Sequence, residues 1–338
     1  MKRRDLLLAL SLAPAAPALR AQGDWRRVAV PLYTPAQAVR GVLAQSYLPR
    51  ARVLAESAAD LAAALAQGCS AGAREAWRAA LRHWAGLEAV AFGPLLTRRS
   101  ARRVDFQPVR PALLDKAIER APQGEADMEQ IGSAAKGFAA LEAILWRARP
   151  DAAACRYALE LARDIERESR ALVEGFVDLQ RAEDDVVAHL FGELLNQWIG
   201  GLDRLRLQGI VRPLLEGRQR HGRPPAFPRA ASGSDAMERR ARWQALRELV
   251  LFEGGVVPRP GQDRVPFETI LRGRGLNPLA DRLRAAALAA DTALAPAEPD
   301  AGRLERAARR LASLRSLAEA ELAPALDVRV GFSDADGD

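Results

Sequence analysis

The stretch Lys136-Gly137-Phe138-Ala139-Ala140-Leu141-Glu142-Ala143-Ile144-Leu145-Trp146 decides the fold. Phe138, Leu141, Leu145 and Trp146 recur at the three- and four-residue spacing of one helical face, and no two-residue alternation competes with it. A carboxylate, Glu142, interrupts this apolar run. Burying it without compensation is costly, so it calls for a positive partner, hydrogen-bond donors or a metal. An arginine is the simplest partner, because Arg is abundant while Lys occurs only at 2, 116 and 136.

Helical spacing continues on both sides of this segment. Thr34-Pro35 reads as an N-cap with proline at the first helical position, opening a helix to about Gln67 that Gly68 ends. Ser70 caps a second helix whose stripe holds Trp77, Leu81, Trp84, Leu87 and Leu95, interrupted at Gly93-Pro94. A shorter helix is expected from Pro111. Pro150-Asp151 opens a long one through Cys155 and Leu172, and residues 183–208 carry Val187, Leu190, Leu194, Leu195 and Trp198. Further helices are expected near 234–253, 276–294 and 299–323, and residues 25–33 read as extended. The Pro-containing break at 210–231 divides the helical domain, 28–325, into a first lobe of about 28–209 and a second of about 232–325. A tail follows at 326–338. The expectation is an all-α protein of two packed helical bundles with little or no β.

Composition agrees, since Ala and Leu lose little side-chain freedom in a helix and they dominate an apolar fraction of 49%. The formal charge of +7 invites a nucleic-acid reading. However, the first 21 residues hold +3 of it, and elsewhere Arg alternates with acids, as in Arg163-Asp164-Ile165-Glu166-Arg167-Glu168. Such alternation makes a solvated, paired face rather than a phosphate-binding one. No nucleic-acid partner is therefore expected. The denser basic stretch from Arg204 to Arg229 reads as an exposed connection open to an anionic surface.

Lys2-Arg3-Arg4, the apolar run Leu6-Leu7-Leu8-Ala9-Leu10 and the small residues up to Ala21 form a signal peptide over 1–21. The pair Arg3-Arg4 also resembles a twin-arginine signal. No other window is long and apolar enough for a membrane span. The expected location is the periplasm or cell envelope. In an oxidising compartment Cys69 and Cys155 are expected to pair, closing a loop of about 87 residues that the chain-entropy view credits with roughly 4 to 5 kcal/mol.

Catalytic signatures are scarce: there is no HExxH, glycine-rich phosphate loop, CxxC pair or nucleophile elbow. His221 lies in the basic connection and reads as solvated, and His83 beside Trp84 reads as an edge-of-core residue. Asp185, His189 and Glu193 recur at i,i+4 spacing, so they share a helical face. They are either metal ligands or proton-transfer groups, needing a second helix to complete a site, or a polar stripe with a stabilising His–carboxylate pair. Glu88, between Leu87 and Val90, poses the same problem as Glu142.

Four blocks carry a family resemblance. They are Cys69 with Arg74, Ala76-Trp77 and His83-Trp84; Leu87-Glu88-Ala89-Val90-Ala91-Phe92-Gly93-Pro94-Leu95 followed by Arg103-Val104-Asp105-Phe106-Gln107-Pro108; the segment 136–146 with Cys155-Arg156-Tyr157; and the ending Val330-Gly331-Phe332-Ser333-Asp334-Ala335-Asp336-Gly337-Asp338. Together they resemble the imelysin family, also called M75 peptidase-like or iron-regulated-protein-like. The resemblance implies two helical lobes with a site where they meet, an envelope location, iron or a divalent metal as cofactor, and iron-uptake components of the envelope as partners. Glu142, Glu88 and Asp105 are its candidate metal or ligand residues. The family signature is GxHxxE; Gly137 and Glu142 match it, but Ala139 stands at the histidine. Alanine offers no lone pair, which argues against a metallopeptidase, since that chemistry needs a held metal and an activated water. Three readings stay open: a metal-handling binding protein, a metal-free interaction module with an inter-lobe ligand cleft, and a peptidase.

Overall fold

A computed structural model describes residues 29–219, 225, 227–254, 256–295 and 300–331. The signal peptide expected at 1–21, His221, and the block from Phe332 to Asp338 lie outside them. The helices are α1 (Pro35–Val42), α2 (Leu48–Ala66), α3 (Ala71–Glu88), α4 (Pro94–Thr97), α5 (Ser100–Val104), α6 (Pro111–Arg120), α7 (Gly124–Glu129) and α8 (Gly137–Leu145). The chain continues with α9 (Ala152–Arg181), α10 (Asp184–Arg206), α11 (Arg212–Gln219), α12 (Asp235–Val250), α13 (Phe267–Gly273), α14 (Asn277–Leu294), α15 (Ala301–Leu317) and α16 (Ala323–Ala325). No strand occurs among the described residues. The protein is all-α.

Local chemistry sets the boundaries. Thr34 accepts from the Gln37 amide while the Gln37 side chain returns a bond to Thr34, a capping box with Pro35 behind it. Ser70 and Asp151 accept from the amides of Ala73 and Ala154, fixing the starts of α3 and α9. Gly68, at φ +105°, ends α2. One π-helical turn at Leu43–Tyr47 joins α1 to α2, and another at Leu207–Val211 carries α10 into α11. The chain expected to break at 210 therefore stays helical to Gln219.

Helices α2, α3, α8 and α9 pack together, and α14 pairs with α15; α12 lies against α3, and α10 against α1, α12 and α15. The fully buried Trp77, Trp84 and Trp198 anchor the core these helices share. Complete burial of each such side chain contributes on the order of 2–3 kcal/mol. The Cys69–Cys155 disulfide, with Cα atoms 5.6 Å apart, ties the α2–α3 turn to the first turn of α9. The expected pairing is correct.

Candidate functional site

Gly137 does more than begin α8. It stands at φ +72°, and a Cβ there would come within 2.0 Å of the Val104 carbonyl oxygen. A side chain is excluded on both counts. The backbone of α8 consequently rests on the end of α5, which places Asp105 beside the helix that bears Glu142. The position matching the family histidine, Ala139, contributes a buried methyl group.

What meets Glu142 is Arg229. This side chain comes from the turn before α12 and is wholly buried. Its Nη2 donates to both Asp105 oxygens at 2.6 and 2.5 Å. Its Nε donates to Glu238 Oε2 at 3.0 Å, and its Nη1 lies 3.5 Å from Glu142 Oε2. The other Glu142 oxygen accepts from the Ser232 amide at 2.9 Å. Beneath the guanidinium, the Trp77 ring centroid lies 5.8 Å away, a cation–π contact. Asp235 accepts from the Arg229 amide at 2.9 Å, pinning the turn. One planar cation thus faces three carboxylates from three separate segments and hydrogen-bonds two of them, Asp105 and Glu238.

The network extends to a second layer. Arg242, one helical turn after Glu238, donates to Glu238 Oε1 at 3.0 and 3.2 Å and also bonds Glu88. Arg204 of α10 approaches Glu88 at 3.7 Å and donates to the Ala89 carbonyl. Four carboxylates and three guanidiniums meet here. Burial pushes Asp105 and Glu142 above the usual carboxylate range, with Arg229 opposing it. Burial also acts to raise Glu238, but Arg229 and Arg242 outweigh it and hold that group at about 2. Burial works against the charged form of Arg229 as well, yet Asp105 and Glu238 hold it above its ordinary value, so it stays charged. At the two ends of the basic stretch, Arg204 and Arg229 are internal counter-ions rather than the exposed surface expected of them.

The residues present do not fit a metal. Asp105, Glu142, Glu238 and Glu88 direct their oxygens at tethered guanidiniums that would repel a dication. Among the described residues no three His, Cys, Asp or Glu side chains are grouped to hold one. The other candidate set does not converge either. Asp185 accepts from the Val186 amide within the first turn of α10. His189 Nδ1 donates to the Asp185 carbonyl, and Glu193 accepts from the Gly93 amide at 2.7 Å. Equal spacing on one helix gave them one face but three different partners. His83 is half-buried, and burial, with Arg82, pushes it below its ordinary value.

Arg229, Glu238, Arg242, Arg204 and Ser232 were not among the sequence candidates. Glu238 and Arg242 carried a readable signal in their i,i+4 spacing. Arg229 carried none, because its partners lie 124 and 87 positions earlier and 9 later in the chain.

Residues 43–326 match the family model described as Imelysin. Among solved structures, an imelysin-like protein from Psychrobacter arcticum 273-4 superposes with a TM-score of 0.71 at 18% identity, covering 90% of this chain and 100% of that one. A candidate iron-regulated protein A precursor from Parabacteroides distasonis ATCC 8503 gives 0.67 at 13% identity, covering 84% and 93%. Among curated proteins none matches this sequence. The helical architecture, the Gly137 and Glu142 positions and the match over most of its length place this chain in the imelysin family.

Proposed function

We propose that this protein is an exported cell-envelope binding protein that works without a resident metal. The observation that carries this reading is the guanidinium of Arg229, fixed among Asp105, Glu142 and Glu238, where a metal-handling member would need a cation that can come and go. Ala139 removes the motif histidine, so neither ligation nor general-base chemistry is available at that position. Export rests on the signal at 1–21, and the boundary between lobes at about 210–231 remains part of the same proposal.

Iron handling is the second reading, favoured by the name of the Parabacteroides relative. Calorimetric titration with ferric, zinc and manganese ions separates the two. The metal-free reading expects no affinity tighter than about millimolar and a melting temperature unmoved by chelator. Micromolar binding that Glu142→Gln abolishes would overturn it in favour of metal handling. Unfolded polypeptide should survive incubation with the protein equally with and without chelator; chelator-sensitive cleavage would restore the peptidase reading.

A further inference from the structure

A cavity of about 340 Å3 lies away from the Arg229 network, between the start of α1, the first half of α10, the end of α13 and the segment after α16. Its volume is at the small end of the range for ligand pockets. The apolar part of the lining comes from Phe191, Leu326 and Val328, and the charged part from Arg274, Arg329 and Asp327, with the sequence candidate His189 and Asn196 completing the polar side.

The walls are built rather than incidental. The Asn196 amide donates to the Arg329 carbonyl at 3.1 Å and accepts from the Gly331 amide at 3.2 Å, clamping the C-terminal segment onto α10. Arg274 is held through Nη1, which donates to the Ala325 carbonyl and to Asp327 Oδ2, each at 2.8 Å. Among the described residues its Nη2 and Nε have no partner, and the Arg329 guanidinium has none. Val330, next to Arg329 in the chain, is 44% exposed.

Two guanidiniums against one carboxylate favour an anion, and the Asp327 charge disfavours a phosphate dianion. The apolar lining of Phe191, Leu326 and Val328 favours a hydrocarbon body next to that charge. We infer that this cavity binds a monoanionic carboxylate carrying a compact apolar group, with Arg274 and Arg329 on the carboxylate and Phe191, Leu326 and Val328 on the apolar part. Such a ligand is either a free organic acid or the C-terminal residue of a peptide. The inference names a ligand class for the binding role proposed above. Its test uses acids rather than metals, so the two can fail separately.

Calorimetry or ligand-observed NMR on the purified protein would compare hexanoate, N-acetyl-leucine and the uncharged N-acetyl-leucinamide. At least one acid should bind in the submillimolar range, with the amide at least about tenfold weaker because it forfeits the charge-assisted bonds. Preference for N-acetyl-leucine identifies a peptide terminus, and preference for hexanoate a free acid. Gly192 lines the cavity, and a Cβ there would meet only Val328 Cγ1 at 3.8 Å. Gly192→Leu should therefore keep the melting temperature while abolishing binding. Arg329→Gln, at an exposed position, should weaken binding about fivefold or more without unfolding the protein. Failure of both acids to bind below about 10 mM, equal binding of the amide, or indifference to both substitutions would overturn the assignment.

Discussion

Glu142 and Glu268 are both buried carboxylates on short apolar helices, yet the chain neutralises them differently. Glu268, on α13, takes Arg272 from its own next turn at 2.8 Å, adds Arg284 from α14 at 2.9 Å, and accepts from the Phe252 amide at 3.2 Å. Its partners all lie within 16 residues of it. Glu142 instead depends on a turn some 90 residues later, which brings Ser232 to one oxygen and Arg229 towards the other. The local centre needs only α13, α14 and the Phe252 segment to meet. The long-range one exists only when α5, α8, α12 and the Arg229 turn are all docked, so it reports on the assembled core.

That difference predicts unequal losses. Arg229→Met keeps bulk but leaves Asp105 and part of Glu238 as buried charges without their counter-ion. Removing one member of such a buried group costs about 3–5 kcal/mol, read as a lowered urea midpoint at unchanged slope. A loss under about 1 kcal/mol would mean that the network is hydrated and weak. Glu268→Gln should cost less, about 1–3 kcal/mol. There Arg272 keeps Asp281 at 2.8 Å and Arg284 keeps the Phe252 carbonyl at 3.1 Å. A larger loss at Glu268 than at Arg229 would reverse the comparison.

The same contrast explains what the sequence disclosed. The starts of α1, α3 and α9 were legible because their caps are three-residue events: Thr34 with Gln37, Ser70 with Ala73, Asp151 with Ala154. The need for a partner at Glu142 was legible from its apolar neighbours, and arginine from composition. Which arginine was not. Arg229 sits among Pro228, Ser232, Gly233 and Ser234, a composition that reads as exposed turn, and only tertiary docking buries it. Helix α13, seven residues long, and α7, six, have too few turns to show a period. The Asp185, His189 and Glu193 set shows the opposite failure, in which a clear period carried no shared site.

Acid should dissect the long-range centre further. Glu238 falls from its ordinary 4.5 to about 2 in the folded protein. The unfolded chain then binds that proton more readily. The contribution of Glu238 is therefore complete above about 4.5 and is lost as pH falls towards 2. Asp105 and Glu142 shift upward, so their folded forms accept protons first and acid relieves their burial. Unfolding free energies measured from pH 6 to 2.5 should show an acid-side loss that Glu238→Gln flattens. If the slope survives that substitution, other carboxylates carry it.

The smallest effect is expected at the motif residue itself. Glu142→Gln retains an oxygen for the Ser232 amide and removes a charge that burial already disfavours, while Arg229 keeps Asp105 and Glu238 at 3.0 Å or less. The stability change at neutral pH should stay within about 1 kcal/mol in either direction. This sharpens the comparison with Glu268, whose two arginines both lose a charge partner on the same substitution. A loss of about 3 kcal/mol or more at Glu142 would show that Arg229 depends on it as much as on Asp105. The 3.5 Å separation at Glu142, against 2.5 to 2.6 Å at Asp105, argues that it does not.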